Sequence, residues 1–317
     1  MRYFIIIITA AGLLGIPSKS PALDLFTEIG LETRYVQGDS TYRIGGVDSQ
    51  LGSWASELEF PLNNIMAGIS LIIGSRHAYN PSQTRDRFSL TWLRVVQETA
   101  GTMKDSDWVE NDDAVQGGFP HAGRDIYTES DAQLRGTVFD VNYAHHFRPN
   151  NSWSLGPMIG YRSQYLEYDI YGYSGYRYDR LISSTEKALE YEITYKIPYL
   201  GLSSDLIFGK DSRFQLHFIL AYSDWAKAED RDDHVLRYKL SESDCEGEAY
   251  LIKVNLDWQF YRNWLLGLGA EYVDIDTSGM QHQSFYAGPF VGTTYDVNNK
   301  ITSTYWSTIL KISYAFR

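Results

Sequence analysis

Residues 133–147 read QLRGTVFDVNYAHHF, and this stretch decides the fold class. Apolar residues such as Leu134 and Val138 are interspersed with polar ones, and no helical period persists. Residues 250–261, YLIKVNLDWQFY, and 264–278, WLLGLGAEYVDIDTS, have the same character and are rich in β-branched and aromatic side chains. These patterns predict an all-β protein.

The connections between the alternating segments predict the topology. Short turns fall at 149–152, 210–213 and 262–263, and they alternate with long polar segments near 37–52, 104–130, 174–187, 230–248 and 279–300. Outer-membrane barrels alternate short periplasmic turns with long outer loops in this way. We therefore expect a ten-stranded antiparallel transmembrane β-barrel with long extracellular loops. This count requires one long strand over 54–73, although Pro61 interrupts its pattern.

The two ends of the chain agree with export to the outer membrane. Residues 4–16 are almost entirely apolar, and small residues at Ser20 and Ala22 follow, which predicts a signal peptide over 1–22. The apolar run is too short for a membrane-spanning helix. Residues 23–317 are then one barrel domain in the bacterial outer membrane. The alternating segment 310–316 is typical of a closing strand.

The composition limits the partners of the protein. The formal charge of -12 argues against nucleic acid and favours cationic peptides or divalent ions. Cys245 is the only cysteine in the sequence, so no internal disulfide can form, and we expect it in a loop. No spacing typical of a zinc or phosphate site is present, so no metal site is predicted. We expect a monomer.

Two acidic motifs are the candidate site. Asp105 and Asp107 are two residues apart, as are Asp232 and His234, and such side chains share a face of an extended strand. The strand count places both motifs on the same outer rim, facing the extracellular side. A neutral His beside a carboxylate can take a proton from water. Two close carboxylates repel each other, so one can retain a proton. Either motif alone is more often simple surface polarity.

The chain also resembles the omptins, a family of outer-membrane aspartyl-type endoproteases. The resemblance rests on residues 101–108, GTMKDSDW, and on 223–225, SDW, which leads to 230–234, DRDDH. Residues 158–161, MIGY, and 196–202, KIPYLGL, are similar to further segments of the family. The matches extend over most of the chain after the predicted signal.

The resemblance implies a hydrolytic mechanism without an acyl-enzyme, in which water attacks the scissile carbonyl directly next to basic residues. It implies roles for six residues: a catalytic pair Asp105 and Asp107, a water-activating pair Asp232 and His234, and substrate-binding Asp230 and Asp125. Asp230 matches an acidic residue of the pocket for the residue before the cut.

The sequence departs from the family pattern at two places. Tyr42 or Arg43 stands where the family has a Glu that helps to hold a substrate arginine, so a strict preference for arginine does not carry over. The family binds lipopolysaccharide on the outer barrel surface, but here Ser163, Tyr165 and Thr194 occupy positions of its charged residues. No other cofactor is expected, and lipopolysaccharide is an open candidate as an activator.

A function of another class stays open at this point. A non-enzymatic surface barrel, such as an adhesin or a small-solute channel, would keep the same fold. A channel needs a water-filled interior, and we expect Arg135, Asp140, Glu190 and Glu192 to face inward and to fill it with ion pairs.

Overall fold

The computed structural model describes residues 24–48, 52–76, 84–109, 124–150, 152–178, 180–210 and 213–316. The predicted signal peptide, residues 1–22, lies outside these ranges. Within them, no helix is both long and apolar enough to cross a membrane.

One antiparallel sheet contains all the described strands. They are β1 (Asp24–Asp48), β2 (Gly52–Pro61), β3 (Asn64–Arg76), β4 (Thr84–Val95), β5 (Thr99–Val109), β6 (Ile126–Phe147), β7 (Trp153–Arg177), β8 (Arg180–Phe208), β9 (Phe214–His234), β10 (Lys239–Tyr261), β11 (Trp264–Phe285) and β12 (Thr294–Phe316). A 3-10 turn, Val235–Arg237, lies between β9 and β10.

The sheet closes into a ring with ten strand positions. β2 and β3 follow one another along β1, and β4 and β5 follow one another along β6, so twelve segments fill ten positions. The pairing of β1 with β12 closes the ring. The strand expected over 54–73 is present with its interruption, because β2 ends at Pro61 and β3 begins at Asn64. The all-β prediction and the count of ten are confirmed.

The polarity of the inner and outer faces of the strands reverses along their length. We call the end of the barrel that contains Asp105 and His234 the upper half, and the opposite end the lower half. In the lower half, apolar side chains such as Ile29 and Leu31 are exposed, whereas Glu32 is buried in the interior. In the upper half most interior side chains are apolar, apart from those around Asp105 and His234, and the outer face is polar. An outer face in lipid must be apolar, and one in water can be polar.

Aromatic side chains form two bands at the edges of the exposed apolar surface. Phe214 stacks on Trp258 near the lower end, with ring centroids 6.3 Å apart. At the other edge Tyr222 contacts Tyr250, with ring centroids 4.9 Å apart. Tyr250 and Trp258 lie on β10, eight residues apart, which is roughly 26 Å along an extended strand. This spacing resembles the height of the apolar band of outer-membrane barrels, about 25 Å.

The prediction of long extracellular loops is wrong for most of the polar segments. The strands continue through them: β7 ends at Arg177 and β8 begins at Arg180, and only residues 235–238 separate β9 from β10. These segments are polar because their outer faces meet water, not because the chain turns there. Residues 110–123, in the middle of another predicted loop, lie outside the described ranges.

Interior charges do fill the lower half, but three of the predicted residues are not among them. Arg135, Glu190 and Glu192 lie on the outer face, since the upper interior is apolar. Asp140 alone approaches the interior cluster, 3.7 Å from Arg162. We call Glu32, Arg34, Arg162 and Glu271, which are all buried, the interior charge cluster.

The interior charge cluster is densely paired. Arg34 lies 2.7 Å from Glu32 and 2.5 Å from Glu271, which Arg162 also approaches at 3.1 Å. Cys245, expected in a loop, is instead fully buried on β10. Its segment is polar on its outer face only.

Candidate active site

Asp105 and Asp107 lie on β5 in the upper half of the ring. β5 is held between β2 and β6, where Asp105 is opposite Leu58 and Thr128. Both carboxyl groups line a cavity of about 530 Å³, which we call the rim cavity. The two-residue spacing thus brings both side chains into the same cavity, as strand alternation predicts.

Asp232 and His234 form a pair at the upper end of β9. Both side chains are buried, and His234 Nε2 lies 2.9 Å from Asp232 Oδ2. β9 ends at His234, and the 3-10 turn that begins at Val235 leads the chain back into β10. This pair therefore lies at the boundary between a paired strand and a tight turn.

The two motifs meet at the rim cavity, because Asp105, Asp107 and His234 all line it. β5 belongs to the third strand position and β9 to the seventh, so the residues face one another across the ring. The predicted arrangement on one rim is therefore present in the structure. Their chemical roles remain predictions.

Tyr42 contacts Asp232 directly, and the sequence pattern did not predict this contact. It lies on β1, and its hydroxyl donates a hydrogen bond to Asp232 Oδ2, the oxygen next to His234. The ring is fully buried and packs against Phe60 and Tyr191. The available signal was strand alternation, which gives Tyr42 the same inward face as other buried residues of β1.

Lys239 is a second unpredicted neighbour of the pair. It is buried at the start of β10, where it is the strand partner of His234. Burial lowers the pKa of Lys239, while the negative charges of Asp232, Asp107 and Asp105 oppose that shift. Its cation, like that of Arg237, adds a positive potential beside Asp105.

Burial sets opposite pKa shifts in the two motifs. Burial, together with the neighbouring charge of Asp107, raises the pKa of Asp105 to about 7. Burial also lowers the pKa of His234 below its ordinary 6.5, more than Asp232 raises it. Although burial disfavours its charge, His234 and Lys239 bring the pKa of Asp232 below its usual value. Near neutral pH the site thus holds a neutral imidazole beside an ionised Asp232.

Asp230 has an acceptor oxygen without a partner. Ser243 donates a hydrogen bond to Asp230 Oδ1, while the buried Oδ2 has no hydrogen-bond partner among the described residues. Burial raises the pKa of Asp230 to about 7. A cation that reached Oδ2 would satisfy it and favour the charged carboxylate.

Asp125 lies outside the rim cavity. Its carboxylate accepts a hydrogen bond of 2.7 Å from the backbone N–H of Val109, and its own N–H donates to the carbonyl of Asp107 at 3.0 Å. These bonds join the end of β5 to the start of β6. Across the described ranges, no group of three or more His, Cys, Asp or Glu side chains is arranged to hold a metal ion.

The fold and its exposed apolar band define an outer-membrane barrel. A model of the omptin family matches residues 48–285. That range is more than half of the chain, and the chain therefore belongs to the omptin family.

Relatives with known names agree with this assignment. The plasminogen activator of Yersinia pestis is 21% identical over 240 residues, covering 74% of this chain and 70% of the relative. The outer membrane protease OmpP of Escherichia coli K12 is 26% identical over 175 residues, covering 50% and 53%. The chain thus spans only about half the length of OmpP.

A solved structure shares the fold. The crystal structure of the outer membrane protease OmpT from Escherichia coli superposes with a TM-score of 0.72 and 17% identity, covering 95% of this chain and 99% of that chain. At this identity the likeness shows the fold, and the chemistry must be argued from the side chains.

Proposed function

We propose that this protein is an outer-membrane endopeptidase that cleaves peptides and proteins next to basic residues. The observation that carries the proposal is the convergence of Asp105, Asp107 and His234 on one cavity, with Asp232 2.9 Å from the imidazole. Outer-membrane proteases among its relatives support a hydrolytic role. Residues 1–22 act as the export signal, and 23–317 form one transmembrane barrel whose site faces outward.

Water is the nucleophile in the proposed mechanism. Neutral His234 takes a proton from a water molecule in the rim cavity, and ionised Asp232 stabilises the imidazolium that forms. Protonated Asp105 donates a hydrogen bond to the oxyanion that develops on the scissile carbonyl, and Asp107 keeps Asp105 protonated by repulsion. His234 then returns the proton to the leaving amine. No covalent enzyme intermediate forms.

Basic residues are recruited by acidic groups of the upper half. The unpartnered Asp230 Oδ2 is the group proposed to hold a substrate cation before the cut, because an ammonium or guanidinium would supply its missing donors. Asp125 is retained as a more distant acidic contact. Tyr42 or Arg43 stands in place of the family's Glu, so the proposed pocket carries one acidic group less and tolerates lysine as well as arginine.

The barrel is proposed to act without a cofactor. On the outer face, the ammonium of Lys196 contacts both oxygens of Glu229, at 2.5 and 2.6 Å, and Tyr165 donates to Glu192 at 3.3 Å. A cation already paired with a carboxylate offers little to a lipid phosphate. We therefore propose that lipopolysaccharide is not required, and that the monomer is sufficient.

The test is cleavage of quenched fluorescent peptides with arginine before the bond and each of several residues after it. Refolded barrel is assayed with and without lipopolysaccharide, beside His234→Ala and Asp105→Ala. His282→Ala is the matched control, since His282 lies 2.8 Å from Asp296 but is exposed. Loss of turnover in the first two variants alone supports the site.

Two other outcomes would contradict parts of the proposal. Turnover that depends on added lipopolysaccharide would refute lipid independence and leave the hydrolytic site standing. A folded barrel that cleaves none of the peptides would favour the non-enzymatic surface barrel. A channel is disfavoured by the interior charge cluster, since paired side chains occupy the lower half.

A further inference from the structure

Half of the residues that line the rim cavity are apolar. Beside Asp105, Asp107, His234 and the polar Thr128, Ser130 and Tyr173, the cavity is lined by Leu58, Met103, Ile126, Ile170, Ile182 and Leu189. These residues come from β2, β5, β6, β7 and β8, so the apolar surface is continuous across one side of the ring. A concave site of this composition buries an apolar side chain and uses its few polar groups for orientation and chemistry.

Side chains of both charge signs line the rim cavity. Two carboxyl groups, Asp105 and Asp107, are accompanied in the lining by two guanidinium groups, Arg177 and Arg237. Arg237 and Lys239 both act electrostatically on Asp105 and favour its charged form. A basic substrate side chain entering this cavity would meet the cations Arg177 and Arg237 as well as the carboxyl groups, and repulsion by these cations disfavours it.

One carboxyl group with an unpartnered oxygen lies outside the cavity. Asp230, with its free Oδ2, is not part of the cavity lining. A peptide that places a basic side chain at Asp230 and its scissile carbonyl beside His234 would direct its next side chain into the rim cavity. The two sides of the cleaved bond therefore meet different chemistry.

We infer that the rim cavity binds an apolar side chain, such as leucine or phenylalanine, of the substrate residue that follows the cut. This inference rests on the proposed endopeptidase function and refines its substrate class. The preferred substrate is a basic residue followed by an apolar one, rather than a pair of basic residues.

Neighbouring residues of β8 provide a matched pair of variants. Ile182 lines the rim cavity, whereas Leu181 is 90% exposed on the opposite face of the same strand. Ile182→Asp places a carboxylate in the cavity, and Leu181→Asp adds the same charge outside it. Both variants are compared with the wild type on peptides that differ only in having leucine, alanine or lysine after the arginine.

The wild type is expected to cleave the leucine peptide at least about tenfold faster, in kcat/KM, than the alanine or lysine peptide. Ile182→Asp should remove most of this preference and improve the relative rate of the lysine peptide. Leu181→Asp should leave the ratios unchanged. A wild type that prefers lysine, or a leucine preference that survives Ile182→Asp, would overturn the inference.

Binding separates this inference from the proposed hydrolysis. Analogues of the three peptides with a reduced, uncleavable bond are titrated against each barrel by fluorescence anisotropy. If no peptide is cleaved but the leucine analogue binds at least about tenfold more tightly than the lysine analogue, and loses this advantage in Ile182→Asp, the endopeptidase proposal fails and the apolar site stands. Equal dissociation constants would overturn the apolar site.

Discussion

Asp105 is the carboxyl group whose protonation decides the pH range of the proposed chemistry. Its pKa is raised to about 7 by burial and by Asp107, so the proton it donates is lost above that pH. His234 must be neutral, and its pKa lies below 6.5 because it is buried. The two requirements leave a pH range in which Asp105 is protonated and His234 is neutral.

We expect a bell-shaped dependence of kcat/KM on pH, with an alkaline limb near pH 7 that belongs to Asp105. Asp105→Asn keeps a hydrogen-bond donor and cannot ionise, so the alkaline limb should disappear while some activity remains. Asp107→Asn removes the repelling charge, which lowers the pKa of Asp105 and should move the limb to lower pH. An unchanged limb in both variants would contradict the assignment.

Tyr42 is expected to adjust the basicity of the Asp232–His234 pair. In Tyr42→Phe, Asp232 loses a hydrogen-bond donor, so its carboxylate becomes more basic and stabilises the imidazolium more strongly. The acid limb of kcat/KM should then move to higher pH, and the maximal rate should fall by about tenfold, in the range typical of a charged hydrogen bond. The measurement is the pH profile of peptide cleavage.

Tyr195→Phe is the control for Tyr42→Phe. Tyr195 is also fully buried, and its hydroxyl pairs with Ser40 at 2.6 Å rather than with the site. A shift of the acid limb in both variants would show that Tyr42 acts through packing alone.

At the residue scale, motif spacing could predict Asp105, Asp107, Asp232 and His234, since alternation along one strand is a local property. The contacts of Tyr42 and Lys239 with the site could not be predicted, because they form between different strands. Tyr42 reaches Asp232 across 190 positions of sequence. No local pattern reports such a contact.

Among the elements, β1 pairs with β3 along its first part and with β2 along its second part, and the change of partner lies between them. Asp39 is opposite Pro61 and Val36 is opposite Asn64, so residues 37–38 lie beside the interruption. Gly38 has a φ of +154°, and its carbonyl accepts a hydrogen bond of 2.9 Å from the N–H of Leu62. Glycine here lets the chain pass close to β12.

Gly38→Ala should destabilise the barrel by about 1–3 kcal/mol. A Cβ at this position would lie 2.2 Å from the carbonyl oxygen of Thr304 and 2.6 Å from Tyr305 Cα, and backbone atoms cannot give way cheaply. Gly46→Ala is the control, because its nearest contact is the Trp54 side chain at 3.5 Å. Urea unfolding in detergent measures both, and equal midpoints would contradict the prediction.

The type and number of the elements could be predicted from alternation and turn residues. Their length could not, because polarity on the outer face has two causes, a turn or contact of a strand with water. β7 and β8 illustrate the second cause, since β7 continues to Arg177 and β8 begins at Arg180, within the predicted loop 174–187. Only the pairing of a segment with a neighbouring strand distinguishes a turn from a strand whose outer face is in contact with water.

For the whole molecule, the exchange of faces between the two halves explains the misplaced charges. Arg135 was expected inside because polar residues face the interior of a barrel in lipid. It lies in the upper half, where the interior holds Leu134 and the outside meets water. Polar residues stop facing the interior at the height where the exposed apolar band ends. The sequence of one strand alone does not show where that height lies.

The interior charge cluster should contribute strongly to the stability of the barrel. Glu271→Ala leaves Arg34 and Arg162 without their shared carboxylate, and removal of one partner from a buried ion pair costs about 3–5 kcal/mol. Arg135→Ala is the matched control, since Arg135 pairs with Glu167 at 2.7 Å on the outer face. Its cost should be at most about 1 kcal/mol. Equal losses on urea unfolding would contradict this contrast.

The pairing of β1 with β12, which closes the ring, also affects the candidate active site. Pairing there runs from Thr27 with Phe316 to Gly45 with Asn298, so the first and last described strands hold each other. Tyr42 belongs to the first strand and donates a hydrogen bond to Asp232 on β9, across the interior of the ring. The proposed catalytic pair on β9 thus depends on a hydrogen-bond donor from a strand that closes the ring, so the seam between β1 and β12 serves both the barrel and the site.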